Sequence, residues 1–162
     1  MSTANAARID GIFVSPAPGE AMQPRTEVHA YAGQGLEGDR FRQLEGWDTG
    51  DGRQMTLVAR ESLVDIEAET GIVIPAGKSR RNIITDGLQL NELVGRRFSL
   101  GDVVCEGVEV CQPCAKMGEV LNEDKAKVVK ALVHRSGLRA RILSGGTIHT
   151  GDTITIEPTP SA

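Results

Sequence analysis

The sequence predicts a mainly β chain with two helices, of α+β class, in which the strands form a closed or nearly closed barrel-like sheet. Three observations lead there. Short runs rich in β-branched residues recur between turn signals, the pattern of a many-stranded sheet. Aromatic residues are confined to Phe13, Tyr31, Phe41, Trp47 and Phe98, so the core must be built of Val, Ile and Leu, which pack well on a pleated surface. Only two segments carry the apolar spacing of a helix. At 162 residues and 40% hydrophobic content there is material for one core and no second. Several short strands around a single core suit a sheet that curls on itself.

The expected strands are Arg8 to Val14, Thr26 to Ala30, Gln54 to Val58, Asn82 to Thr85, Arg97 to Leu100, Val103 to Val110, Leu138 to Leu143 and Thr153 to Ile156. The turns Leu100-Gly-Asp-Val103 and Thr150-Gly-Asp-Thr153 share a pattern: glycine accepts a positive φ, and aspartate bonds to nearby backbone amides. Each delivers the chain into a strand. The first helix is expected over Arg60 to Thr70, where Leu63 and Ile66 share a face, Val64 broadens it and Gly71 follows as a stop. The second is expected over Asn122 to Ser136, with Asn122 as N-cap, a stripe of Val128, Val129, Leu132 and Val133, and Gly137 closing it. Residues 32–53 form the least regular stretch, rich in glycine and charge, and a loop of that length inside a small domain is usually functional or partly disordered. Residues 1–10 read as an N-terminal extension, 11–157 as the domain and 158–162 as a C-terminal tail.

A net charge of −4 without a basic block gives no general attraction to nucleic acid or acidic membranes, and neither partner is expected. No apolar run is long enough for a membrane span, and the first ten residues lack the features of a signal peptide. Three cysteines are too few for a secreted disulfide framework, so the expected compartment is the cytoplasm.

Cys111-Gln-Pro-Cys114 has the C-x-x-C spacing, which admits three chemistries. A redox dithiol needs a helix starting at the motif, and the expected helix starts several residues later. Structural zinc needs four ligands, and the other candidates are Cys105, His29, His134 and His149, without a second close pair. The third chemistry is a single thiolate at a strand end, Cys114, with Cys111 as support; a thiolate suits a soft metal or a persulfide. Pro113 interrupts ladder pairing and Lys116 favours the ionised thiol. Cys105, inside the alternation of Val103 to Val110, reads as a packed core thiol.

Lys78-Ser-Arg-Arg-Asn82 leads into a strand, and its arginine forks and asparagine amide suit an anion such as a phosphate; a solvated basic turn is the plain alternative. Gly35-Leu-Glu-Gly-Asp-Arg40 lacks the ending of a P-loop and reads as a turn whose Asp39 and Arg40 pair with each other or with a neighbour. His134 reads as a structural residue at the end of the second helix. Arg139 and Arg141 share one strand face, toward solvent or toward a pocket.

In order and content these pieces resemble the MOSC family, related to the C-terminal domain of molybdenum-cofactor sulfurases. The resemblance runs through Gly35 to Arg40, Met55 to Val58 with Glu61 to Leu63, Arg80 to Ile83, Leu93 to Gly95 with Phe98, Gly101 and Asp102, then Cys111 to Cys114, Gly137 to Arg141 and Gly151-Asp152. It implies a β-barrel-like fold and the molybdenum cofactor (molybdopterin) as ligand, with Cys114 as molybdenum ligand and catalytic residue. Arg80 and Asn82, with Arg40 beside them, are implied as the cofactor-binding residues. Two functions follow from it. One is a molybdenum-dependent oxidoreductase that reduces N-hydroxylated small molecules with an external electron donor. The other is a non-enzymatic carrier that holds sulfur as a persulfide on Cys114, or delivers cofactor, and is served by a sulfur-donor protein.

Overall fold

The computed structural model describes residues 6–17, 20–39, 54–113, 118 and 121–158. The chain opens with β1 (Arg8–Val14), β2 (Gln23–Arg25), β3 (Glu27–Tyr31) and β4 (Gly35–Leu36). β5 (Met55–Ala59) runs directly into α1 (Arg60–Thr70), and β6 (Ile83–Asp86) returns parallel to β5, so α1 is the crossover between them. β7 (Arg97–Leu100) and β8 (Val103–Val110) form a hairpin, α2 (Lys125–Leu132) follows, and β9 (Leu138–Ser144), β10 (Gly146–His149) and β11 (Ile154–Ile156) complete the fold. Every expected strand is present to within a residue at either end. The three that were not expected, β2, β4 and β10, are Gln-Pro-Arg, Gly-Leu and Gly-Thr-Ile-His, too short or too polar to stand out as β runs.

The mainly β, two-helix reading holds, but the sheet is not closed into a barrel. Among the described residues an eight-stranded sheet runs in the order β11-β7-β8-β9-β5-β6-β1-β2, and β10-β3-β4 form a separate three-stranded sheet. Both ends of the large sheet have local causes. β2 is exposed throughout and contains Pro24, which has no N–H to offer a further strand, while β11 is only three residues long. The Gly151-Asp152 turn does stitch β11 toward β1: Gly151 N donates to Ile9 O (2.8 Å), Ile9 N donates to Asp152 O (2.9 Å), and Arg8 bridges Thr153. That contact is a single bridge rather than a ladder.

Residues facing inward from both sheets form one core, with Ile12, Leu57, Ile83 and Leu138 from the large sheet and Ala30 and Ile148 from the small one. A second cluster lies under the helices, where Leu63 and Ile66 of α1 and Val128 and Leu132 of α2 meet Val58 and Ile84. Each such side chain contributes roughly 1.5–3 kcal/mol on burial, so the helices are held to β5 and β6 by packing more than by propensity. Arg135 and Glu69 add an ion pair between the end of α1 and the segment after α2.

α1 has its expected bounds, and Gly71 stops it with φ 78° and an N–H donated to Glu67 O. Val64, expected to widen the buried face, points to solvent. The second helix is shorter than expected. Asp124 replaces Asn122 as N-cap, its carboxylate accepting from Lys127 N at 3.0 Å, and the helix ends at Leu132. The cause is backbone: Asn122 (φ 56°) and His134 (φ 64°) both take left-handed conformations that a helix cannot include. Val133 is consequently exposed. No helix among the described residues is long and apolar enough to cross a membrane.

Gly107 of β8 sits against the turn of Leu90–Leu93, where an added Cβ would lie 2.1 Å from the Leu93 carbonyl oxygen. A backbone atom cannot swing aside as a side chain can. Gly107→Ala is expected to destabilise the fold by roughly 2–3 kcal/mol, read as a lower midpoint in urea unfolding; an unchanged midpoint would contradict this packing.

Candidate functional site

Arg80-Arg81-Asn82 stands at the entry of β6, and each residue is fastened differently. Asn82 is 3% exposed, and its side chain is saturated. Its Oδ1 accepts from Thr56 N (3.1 Å) and Thr56 Oγ1 (3.2 Å), and its Nδ2 donates to Phe13 O (3.0 Å) and Asp39 Oδ1 (3.1 Å). An amide has two donor hydrogens and two acceptor lone pairs, so all four capacities are in use. Its backbone is engaged as well, with Phe13 N donating to Asn82 O at 2.7 Å. Asn82 therefore ties β1, β5 and the Gly35 to Asp39 segment to one point.

Asp39 is the other half of that knot. Asp39 is only 7% exposed, and its Oδ1 accepts from Ser15 N (2.8 Å) as well as from Asn82. A carboxylate leaves water at large cost unless charge-assisted bonds replace the solvent, and these two do so in part. Gly38, at φ 82°, makes the turn that delivers Asp39 inward. Arg40, the next residue, lies outside the described residues.

Arg80 and Arg81 diverge. Arg80 adopts φ 63°, and its guanidinium donates to Glu20 O (Nη1, 2.8 Å) and Ser15 Oγ (Nη2, 3.5 Å). Arg81 turns the other way: Nε donates to Ser136 O (2.8 Å) and Nη2 to Ser136 Oγ (2.9 Å), the bidentate edge of the fork on a single residue. Ser136 Oγ reaches Gln112 O at 3.4 Å, and Cys111 N donates to Gly137 O at 2.8 Å. Gly137 has to be glycine here, since a Cβ would lie 2.2 Å from Leu57 O and its φ is 120°.

β8 thus ends at Val110, and Cys111, Gln112 and Pro113 leave it under the hold of Ser136 and Gly137. Cys111 is buried. Burial pushes its thiol pKa up, with Arg81 and Arg139 pulling it down, and the net direction is upward. It is a buried, neutral thiol. Cys114 itself lies outside the described residues. Cys105 is fully buried in β8, away from these bonds, and burial raises its pKa to about 12.

The structure therefore joins Arg80, Asn82 and the start of the cysteine turn through hydrogen bonds. Ser15, Thr56 and Ser136 are the participants that sequence reasoning left without a role; Asp39 and Arg81 lay in the Gly-Asp and Arg-Arg-Asn patterns it singled out. Arg139 and Arg141 pair across the β8–β9 ladder with Glu109 (2.9 Å) and Glu106 (3.9 Å) on a half-exposed face, where such pairs add little stability, and Arg139 also hydrogen-bonds the Cys111 side chain. His134 donates no side chain to the network; its carbonyl accepts from Asn91 Nδ2. No cluster of three or more His, Cys, Asp or Glu side chains suited to a metal occurs among the described residues.

A family model, the MOSC domain, matches residues 47–155, about two thirds of the chain. The chain belongs to the MOSC domain family. Solved structures agree on the fold. YuaD from Bacillus subtilis superimposes with a TM-score of 0.81 at 19% identity, covering 99% of this chain and 100% of that one. YiiM from Geobacillus stearothermophilus gives 0.73 at 20% identity over 94% and 75%, and YiiM from Escherichia coli gives 0.66 at 20% over 96% and 72%. No curated protein matches the sequence. Within this MOSC domain the bonded network joins segments that the family resemblance had picked out separately along the chain.

Two outcomes follow from these bonds. Asp39→Ala leaves the buried donors Ser15 N and Asn82 Nδ2 without an acceptor and is expected to cost about 3 kcal/mol in chemical unfolding. Asp39→Asn, which keeps a carbonyl acceptor, should recover part of it, and equal stability of all three proteins would remove Asp39 from this role. Cys105 gives a pH dependence. Its thiol ionises from its ordinary 9.0 in the unfolded chain but only near 12 when folded. Its stabilisation is therefore complete below about pH 9 and lost as pH rises toward 12. Cys105→Ala should flatten that fall in an unfolding series above pH 9, and an unaltered slope would refute the assignment.

Proposed function

We propose that this MOSC protein binds the molybdenum cofactor and reduces N-hydroxylated small molecules with electrons from an external donor, in the cytoplasm. One observation carries the reading. The Arg81 fork on Ser136, whose hydroxyl reaches Gln112 O, holds the arginine-rich strand entry and the start of the cysteine turn in one network. A cofactor with a phosphate at one end and a metal at the other needs those two chemistries fixed relative to each other.

The donor set fits such a group. Arg80 offers a guanidinium at a strand entry for the phosphate, Arg40 follows the buried Asp39 in the chain, and Cys114 follows Pro113 in the chain. Cys114 is the proposed metal ligand, because a thiolate is the soft donor that the metal favours. When bound, the cofactor supplies the two-electron step. The chain's own residues bind and orient. Arg80 neutralises the phosphate, Asn82 and Asp39 fix the strand entry, and the buried Cys111 packs beneath the turn as a neutral thiol.

Protein purified from a host that makes the cofactor should contain close to one molybdenum per chain by elemental analysis, and Cys114→Ser should lower it at least tenfold. Metal-free protein that takes up no cofactor on reconstitution would sink this reading. In that case a gain of one sulfur on Cys114 in the intact mass, removed by a reductant, would replace it with sulfur carriage.

A further inference from the structure

β8 carries one residue more than the strand it pairs with. Gly107 lies opposite Ala140 and the next pair is Glu109 opposite Arg139, so Val108 has no counterpart on β9. Successive side chains of a strand alternate between its faces, and an inserted residue reverses the alternation beyond it. Cys105 and Cys111 are six positions apart and would otherwise face the same way. Instead Cys105 packs in the main core, whereas Cys111, though buried, is not part of it. The insertion turns Glu109 and Cys111 toward the half-exposed face from which Arg139 projects.

Arg139 engages both. Its Nη1 donates to Glu109 Oε1 at 2.9 Å, and its guanidinium also donates to the Cys111 thiol. Sulfur is a weak acceptor, yet this one is 4% exposed and its donor is charged, so water competes little for the bond. The next two residues are held by other means. Gln112 O accepts from Ser136 Oγ, which Arg81 grips, and the ring of Pro113 fixes its own φ.

We propose that Arg139 is a positioning residue which, acting through the Cys111 thiol, sets the direction in which the cysteine turn leaves β8 toward Cys114. Glu109 belongs to the same device, because its carboxylate holds the guanidinium in place for the sulfur. The clamp on Cys111 stands apart from the cofactor reading proposed above; its service to metal capture rests on that reading.

The full chain carrying Cys105→Ala and Cys114→Ser, made in a host without the cofactor, keeps Cys111 as its one thiol. Its alkylation rate is followed against pH and the midpoint of the profile is read, a quantity that reagent access alone does not move. The charges acting on this thiol are Arg81 and Arg139, which favour the thiolate, and Glu109, which opposes it. Arg139→Gln should raise the midpoint and Glu109→Gln should lower it, each by about half a pH unit, and Arg139→Lys should restore part of the first shift. An ion pair that only braces the ladder predicts one direction for both, since losing either partner admits water to the thiol alike. Shifts in one direction, or none, would overturn the clamp. With Cys105 and Cys114 in place and the cofactor supplied by the host, Arg139→Gln should carry about threefold less molybdenum per chain than the unaltered protein. Equal content would overturn the positioning role. An unaltered protein without molybdenum would overturn the cofactor reading and the service to metal capture, while opposite shifts in the titration would still support the clamp.

Discussion

The hydrogen bond between Asp39 and Asn82 is the constraint around which the rest is arranged. Both side chains are buried, and between them they take bonds from Ser15 N, Thr56 N and Thr56 Oγ1 and give one to Phe13 O. The strands they join are far apart in sequence: β1 near the start, β5 and β6 in the middle, and the segment after β4. Apolar packing holds these strands together but is tolerant of small slides. A saturated polar knot is not, because any slide exposes a donor or acceptor to a medium without replacement partners. The knot accordingly fixes the register of Phe13, Thr56 and Asn82.

Much of this architecture is legible in the sequence, and the exceptions have physical causes. Long strands such as Val103–Val110 announce themselves by alternation, and α1 by Leu63, Ile66 and the Gly71 stop. β2 and β4 are recruited by partners that already exist, so their own residues carry little signal. The bounds of α2 depended on φ angles at Asn122 and His134, neither of which is a glycine that would mark the break. The open edge of the sheet turns on Pro24, readable as a breaker but not as the last pairing partner of Phe13.

For the site, residue types were legible and their roles were not. Arg-Arg-Asn before a strand is a pattern that suits an anion. How each of the three side chains is held depends on where Ser136, Phe13, Thr56 and Asp39 come to lie, and those are tertiary facts. Ser136 illustrates the limit well: a serine before a glycine is unremarkable in a sequence, and it becomes a junction only when Arg81 arrives from 55 residues away. Asp39 likewise takes its meaning from the fold, which buries it and makes it an acceptor for Ser15 N and Asn82 Nδ2.

Arg80 lies in a backbone region that disfavours every residue with a Cβ, by about 1–2 kcal/mol relative to glycine. A glycine at this place would relieve the backbone, yet it would remove the guanidinium that bonds Glu20 O and Ser15 Oγ. Under the proposed anion-binding role, backbone relief and ligand capture pull in opposite directions at this strand entry, and variants chosen for stability alone will tend to lose the charge.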